Sequence, residues 1–204
     1  MLAARRAERL ETLAEELPGA VTVVADVTRA EDRRAIVAAA TEQHGRLDVL
    51  VNNAGRGLHV PLADVDPADY AAILDLNVSA ALAMMQAVLP AMRAQQEGAI
   101  VNISSGTTRR IFPGVGAYAA TKAALNMLSA VAREEFSADG IVVSNVLPTY
   151  TTSEFHDALQ AGSGPRREPA AADTVEHVAE EILRAVRTGE AEIDLPHMAP
   201  SGRG

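Results

Sequence analysis

A tyrosine and a lysine stand four residues apart near the middle of the chain, and Lys122 is the only lysine beside 17 arginines. On an α-helix this spacing places Tyr118 and Lys122 on one face, so the phenol and the ammonium can approach each other. A tyrosine titrates near about 10, and a neighbouring cation favours the phenolate. Lowering that pKa by about three units needs about 4 kcal/mol and would suit a proton donor or acceptor. Taken alone, the pair could equally be two side chains on an exposed helix face.

A serine at the end of an apolar run strengthens the first interpretation. Ser105 follows the run 100–103 and precedes Tyr118 by 13 residues. Because neighbouring residues of a strand point to opposite faces, Ser104 and Ser105 cannot both address Tyr118. We therefore take Ser105, Tyr118 and Lys122 as one candidate site.

Apolar runs and helical patterns alternate along the chain, and they must position this site. Strands are predicted at 21–27, 47–51, 99–103, 141–147 and 192–195, and helices at 10–17, 28–44, 116–136 and 174–187. Thr28 and Glu31 form a capping-box pattern, and Asp66-Pro67 opens a long helix with Pro90 as its bend or end. Residues 162–172 are predicted to form a loop.

Continuously apolar strands that alternate with helices indicate an α/β protein with a parallel sheet covered on both faces. We expect the strands at 47–51 and 99–103 to lie centrally. In such sheets ligands bind outside the carboxyl ends of the strands. Asp26, Asn53, Ser105 and the segment after Pro148 all stand at such ends.

The order and spacing of these residues resemble the short-chain dehydrogenases/reductases. The resemblance covers roughly residues 1–150 and rests on Ala25-Asp26-Val27, Asn52-Asn53-Ala54-Gly55, Leu76-Asn77-Val78, Ser105 and Tyr118-x-x-x-Lys122. It implies a Rossmann-like, doubly wound parallel sheet in three α/β/α layers. It also implies a nicotinamide dinucleotide and hydride transfer to or from the carbon of a carbonyl or secondary alcohol.

The resemblance also implies a role for each catalytic candidate. Tyr118 would be the general acid/base, and Ser105 would position the substrate oxygen. Lys122 would lower the pKa of the tyrosine and hold the nicotinamide ribose, while Asn77 would support a water relay. Without the motif, Asn77 would be an ordinary asparagine inside a helix.

Further residues would contact the cofactor by the same resemblance. Asp26 would hydrogen-bond the adenine beside Val27, and Asn53, Ala54 and Gly55 would lie along the adenosine ribose. The remaining cofactor candidates follow the strand at 141–147 and are Pro148, Thr151 and Ser153, with Ser153 at a position that touches the carboxamide. The Asn52–Gly55 segment could equally be a polar turn in which Gly55 takes a positive φ.

The sequence departs from the family at its beginning. The family opens with a strand and a T-G-x-x-x-G-x-G turn that brings backbone N–H groups to the pyrophosphate, and no such turn occurs here. We therefore expect one Rossmann-like domain, 1–204, without its first βα unit. A reading frame that starts inside a longer gene and a shortened homologue are both compatible with this sequence.

Residues 4–6 bear on the choice of cofactor. By the resemblance, residues 1–6 correspond to the end of the family's second strand and the loop after it. Relatives that prefer NAD usually carry an acid at the end of this strand, whereas this chain has Ala4 followed by Arg5 and Arg6. This pattern favours a 2′-phosphate, and hence NADP(H) over NAD(H). The alternative is a solvated basic start of a helix. A second departure is Pro148-Thr149 where the family usually has Pro-Gly, and threonine tolerates a positive φ poorly.

Composition excludes several other classes of protein. The 204 residues carry a net charge of -9, with no basic block for nucleic acid and no cysteine for disulfides or thiolate metal sites. We find no apolar run of the length that a membrane span needs and no secretory signal, so we expect a cytoplasmic protein. We expect no metal site, because Glu154, His156 and Asp157 fit the start of a surface helix.

Two functions remain open at this point. One is an NADP-dependent oxidoreductase acting on a small carbonyl or alcohol, with a substrate pocket at 57–59, 107–112 and 150–169. The other is a shortened, non-catalytic homologue that serves as a binding or assembly module. Arg109 and Arg110 could hold an anionic substrate or be solvated. The helices at 66–92 and 116–136 are alanine-rich, which allows close packing, and the resemblance implies that they pair across a two-fold axis, so we expect a homodimer or homotetramer.

Overall fold

The computed structural model describes residues 1–163 and 172–195, so most of the loop predicted at 162–172 lies outside the described residues. The strands are β1 (Leu2–Ala4), β2 (Thr22–Val24), β3 (Val49–Asn52), β4 (Gly98–Ile103), β5 (Ile141–Leu147) and β6 (Glu192–Asp194). The helices are α1 (Ala7–Glu16), α2 (Ala30–His44), α3 (Pro67–Leu74), α4 (Ala80–Gln95), α5 (Gly116–Phe136) and α6 (Val175–Thr188). Each predicted strand and helix therefore exists, with most bounds displaced by a few residues.

The described strands are all parallel, as predicted, and they carry helices on both faces. Ile100 of β4 packs with α2, α4 and α5, and the next residue, Val101, packs under α6 on the opposite face. This alternation along one strand builds two apolar layers on a single sheet. The structure is a Rossmann-like α/β fold.

The sheet is divided in two, which corrects the expected strand order. β1 pairs with β2, and a separate sheet has the order β3-β4-β5-β6, so β4 is internal but β3 lies at an edge. A groove of about 1040 Å³ separates the two sheets and is lined by residues of β1 on one wall and of β3 on the other. In the described residues no strand pairs with the groove side of either β1 or β3.

Two local predictions about helix ends need correction. Thr28 does not cap α2: its N–H and hydroxyl donate to Asp26 Oδ1 at 3.0 and 2.7 Å, and the helix starts after Arg29. The long helix also does not end at Pro90, because α4 continues to Gln95. Asp66 does cap α3 as predicted, accepting from the N–H of Ala68 at 2.7 Å.

A π-helical turn, Asp75–Ser79, joins α3 to α4 and makes the helix continuous over Pro67–Gln95. By length and composition alone this stretch could cross a membrane, whereas no apolar stretch of that length was expected from the sequence. Its apolar side chains form part of the core, as Met85 and Met92 are fully buried there. A helix in the core of a soluble protein meets the same criteria, so this stretch is weak evidence for a membrane span.

Val51 and Val101 provide a matched test of the uncovered groove. They are register partners in β3 and β4, but Val51 is 39% exposed and Val101 is 1% exposed. Replacing Val101 by threonine should cost about 1–3 kcal/mol of unfolding free energy, because a hydroxyl would be buried under α6. Val51→Thr should stay within about 0.5 kcal/mol. Urea denaturation of both variants measures the difference, and equal losses would mean that the face of β3 is covered.

Candidate active site

The three residues that define the predicted site come together at the carboxyl end of β4. Ser105 caps a short 3-10 turn, Gly106–Thr108, that follows the strand, and α5 supplies Tyr118 and Lys122 one turn apart. The Tyr118 hydroxyl hydrogen-bonds to Ser105. The candidate site inferred from the sequence therefore exists as a set of contacts.

Tyr118 is almost closed off from solvent. Its side chain is buried, with the residue 6% exposed, and its ring lies 5.9 Å from the ring of Phe155 and 6.3 Å from that of His59, centroid to centroid. Burial raises the pKa of Tyr118 to about 12, and the hydrogen bond from Ser105 opposes this only in part. The expected lowering of this pKa is wrong for this structure, because desolvation outweighs the opposing effect of Ser105.

Lys122 is buried beside the tyrosine. Its ammonium donates to the backbone carbonyl of Ile103 at 2.8 Å and lies 5.9 Å from the centroid of the Tyr118 ring. Burial lowers the pKa of Lys122 to about 8, since the charged form loses its hydration. The lysine is therefore still mainly charged at neutral pH.

Asn77 joins the loop after β3 to helix α5. Its Oδ1 accepts from the N–H of Arg56 at 2.9 Å, and its Nδ2 donates to the carbonyl of Arg56 at 2.9 Å and to Thr121 Oγ1 at 3.0 Å. The π-turn, a feature common at functional sites, aims this amide inward. Asn77 is thus not an ordinary asparagine of a helix interior.

Gly55 allows the loop to lie close to neighbouring side chains and does not adopt an unusual backbone angle. It does not belong to the glycines with a positive φ, which corrects the turn interpretation. A Cβ at this position would stand 3.3 Å from Asn77 Oδ1 and 3.4 Å from Lys122 Nζ. The loop therefore passes directly over two of the catalytic candidates.

The groove between the two sheets brings most of the cofactor candidates together. It is lined by the following candidates: Arg5, Asp26, Val27, Asn53, Ala54, Gly55 and Ser153. The pKa of Asp26 is lowered, first by the two hydrogen bonds from Thr28 and further by the charges of Arg5 and Arg29, so its carboxylate is ionised. The groove is therefore lined by apolar side chains together with charged ones.

Pro148 and Thr151 belong to the segment that follows β5. The carbonyl of Pro148 accepts from the N–H of Gly106 at 2.7 Å, which holds this segment against the turn capped by Ser105. Thr151 bridges to Asp173, whose carboxylate also accepts from Thr149. Thr149 does not take a positive φ, in agreement with the departure from Pro-Gly.

Residues 150–162 form a segment, here called the lid, that covers Tyr118. The ring of His156 stacks on Tyr150 at 4.4 Å between centroids, and Phe155 packs against Tyr118. At the far end, the N–H of Gln160 donates to Gly57 at 2.8 Å. The expected surface helix at 154–157 is therefore wrong, because this stretch is a 3-10 turn whose aromatic rings are half-buried.

Arg109, a candidate for holding an anionic substrate, belongs to a cluster of ion pairs. Arg109 pairs with Glu192 and Asp194 of β6, so its charge is used within the fold. Among residues 1–163 and 172–195, no three His, Cys, Asp or Glu side chains form a group that could hold a metal.

A buried polar network beneath the site was missed by sequence reasoning. Asn52 donates to Asn102 Oδ1 at 2.8 Å, and Asn102 donates to Ser129 Oγ at 2.8 Å. Arg56 and Thr121, which fix Asn77, were missed as well. The signal for the network was available in part, since Asn102 lies inside the strand predicted at 99–103 and Asn52 directly follows the strand predicted at 47–51.

Comparisons with known proteins agree with this geometry. A family model described as short chain dehydrogenase matches residues 1–163. An uncharacterised oxidoreductase of Methylorubrum extorquens is 40% identical over 145 residues, which cover 71% of this chain and 58% of that protein. The chain thus spans less than two thirds of the length of this curated relative.

Two solved structures share the fold. A gluconate 5-dehydrogenase from Burkholderia cenocepacia J2315, in complex with NADP and tartrate, has a TM-score of 0.81 and 27% identity over 95% of this chain and 82% of its own. The closed form of a serine dehydrogenase complexed with NADP+ has a TM-score of 0.88 and 25% identity over 99% of this chain and 87% of its own.

The burial of Lys122 has a measurable pH dependence. The pKa is about 8 in the folded chain and about 10.5 when unfolded, so the unfolded state binds more protons between these values and stability rises with pH. Lys122→Met removes this titration. Between pH 7 and 9.5 the wild type should gain about 2 kcal/mol of unfolding free energy relative to the variant. Urea denaturation across this range measures it, and parallel pH profiles would contradict the depressed pKa.

Proposed function

The chain belongs to the short-chain dehydrogenase family, and on that premise we propose that it is an oxidoreductase that transfers a hydride between NADP(H) and a carbonyl or secondary alcohol. The observation that carries the proposal is the buried contact of Tyr118 with Ser105, one helical turn from the ammonium of Lys122. These side chains supply an acid/base group in Tyr118, a hydroxyl in Ser105 that can position the substrate oxygen, and a nearby cation in Lys122.

Each residue has a distinct task in this proposal. A bound nicotinamide supplies or accepts the hydride at the substrate carbon. Tyr118 is protonated at neutral pH, as its raised pKa requires, and gives its proton to the substrate oxygen during reduction. Ser105 donates a hydrogen bond to that same oxygen, and the Lys122 ammonium stabilises the phenolate that remains.

We infer that the groove would hold the adenosine part of the cofactor and that Lys122, beside it, would hold the nicotinamide part. Asp26, Asn53 and Gly55 would hold the adenosine part, and Lys122 would hold the nicotinamide ribose, which Gly55 allows to come close. Arg5 and Arg6 line the same groove, where they would meet a 2′-phosphate. The NADP bound to the gluconate 5-dehydrogenase and to the serine dehydrogenase supports this choice over NAD(H).

The alternative, a non-catalytic homologue that serves as a binding or assembly module, is not favoured, because the relatives are named oxidoreductases. The cytoplasmic location, the lack of nucleic-acid and membrane partners, and the homodimer or homotetramer stay predictions. Exposed Met127 and Val131 on α5 support assembly through that helix.

The 204-residue chain should bind NADPH weakly. The sequence contains no Gly-x-x-x-Gly-x-Gly turn for the pyrophosphate, and several backbone bonds to phosphate at about 1.5–3 kcal/mol each exceed the roughly 1.4 kcal/mol of one order of magnitude in affinity. An NADPH fluorescence titration should therefore show tighter binding after a strand, glycine-rich turn and helix from the region upstream in the gene are added. Micromolar binding by the 204-residue chain would mean that this cradle is dispensable. An upstream region that encodes no such unit would favour the non-catalytic module.

Tyr118→Phe should abolish turnover in any version of the chain that is active. Loss of the proton donor should lower kcat by about 100-fold or more, while the fold stays intact because the ring remains. A panel of ketones and secondary alcohols, followed through NADP(H) absorbance, measures this. Tyr70→Phe removes the hydroxyl of a tyrosine that packs against the same apolar cluster but is not a catalytic candidate, and it should leave kcat unchanged. Full activity of Tyr118→Phe would refute the assignment.

A further inference from the structure

Glu154 of the lid reaches across the groove to the opposite wall. Its Oε2 accepts from Arg6 Nη1 at 2.9 Å, and its Oε1 accepts from Arg9 Nη2 at 2.6 Å. Arg6 precedes α1 and Arg9 lies in its first turn, whereas Glu154 opens the 3-10 turn that carries Phe155. Two ion pairs therefore tie the lid to the end of β1.

A carboxylate between two guanidinium groups stands where an anionic ligand group would stand. Arginine forms the same paired hydrogen bonds with a carboxylate and with a phosphate. Glu154, Arg5, Arg6 and Asp26 all line one groove. A nucleotide whose adenosine lies at Asp26 would bring a phosphate on its ribose to Arg6, which already donates a hydrogen bond to Glu154.

We propose that Glu154 is a specificity-determining residue, an internal carboxylate that a ribose 2′-phosphate must displace from Arg6. The proposal rests on the proposed function in one respect, the identity of that phosphate as part of NADP(H). A phosphate monoester is the stronger competitor because it carries nearly two charges, against the one of Glu154. Both ion pairs are exposed, and pairs of this kind are weak and readily exchanged.

Displacement of Glu154 also affects the part of the lid that covers Tyr118. Ser153 caps the turn by accepting from the N–H of Phe155 at 3.3 Å, so Glu154 and Phe155 belong to one short unit. The far end of the lid stays held, since Gln160 pairs with Gly57 and with Arg56. Release of the ion pairs therefore loosens the turn at 153–157 that covers Tyr118 and leaves it held by the ring contacts of Phe155 and His156, while the rest of the lid stays in place.

Binding of two small probes to the 204-residue chain tests the competition. Isothermal titration with adenosine 2′,5′-bisphosphate and with 5′-AMP isolates the 2′-phosphate, because both probes lack the pyrophosphate. Glu154→Gln should bind the bisphosphate about twofold to tenfold more tightly and 5′-AMP unchanged, since a larger fraction of the arginines is free to bind. Asp157→Asn removes a carboxylate three residues away and should change neither affinity. Unchanged or weaker bisphosphate binding by Glu154→Gln would overturn the proposal.

Hydrogen–deuterium exchange gives a second readout that needs no nucleotide. Amides of 153–157 should exchange faster in Glu154→Gln than in the wild type, and Asp157→Asn should match the wild type. Equal exchange in Glu154→Gln and the wild type would show that Glu154 does not hold the turn. A wild type that binds both probes equally contradicts the NADP(H) preference alone. In that case Glu154→Gln still tests whether Glu154 competes with the 2′-phosphate. A preference of the variant for the bisphosphate over 5′-AMP supports this competition, and equal binding of both probes by the variant overturns it.

Discussion

The hydrogen bond from Lys122 to the carbonyl of Ile103 fixes the relative position of every other part of the site. It joins α5 to the carboxyl end of β4, and so sets Tyr118, one turn earlier, against Ser105, two residues past the strand. It also leaves a buried ammonium close under the loop after β3, where a Cβ on Gly55 would stand 3.4 Å from Lys122 Nζ. An unpartnered charge at this depth would be expensive, so the bond and the catalytic geometry depend on each other.

Periodicity predicted the elements well where the pattern was long. The bounds of α5 and β5 agree with those read from the sequence, because both are continuous apolar patterns with clear ends. The start of α2 did not agree, since Asp26 competes for the donors of Thr28 and no pattern reveals which acceptor wins. The edge position of β3 likewise depends on a groove between distant segments, which a linear pattern does not encode.

The sequence predicted which residues come together at the site, but not the pKa of Tyr118 or the contacts of Glu154. Ser105, Tyr118 and Lys122 converge as their spacing indicates, and Asn77 joins them through Arg56 and Thr121. The pKa of Tyr118 moved in the opposite direction because its burial comes from Phe155 and His59, which lie far away in sequence. Glu154 was misjudged for a related reason, as its partners are separated from it by nearly 150 residues.

The buried pair Asn52 and Asn102 has a consequence for how faithfully the chain assembles. The two amides meet only when β3 and β4 pair in their observed register. A slip by one residue would turn Asn52 to the other face and leave the amide of Asn102 short of a partner, at a cost of about 1–3 kcal/mol. A slip by two would keep the face but carry Asn53 and the loop after it roughly 7 Å along the sheet. These two asparagines thus favour the observed register of β3 and β4 over misaligned ones, and with it the position of the loop that passes over Lys122.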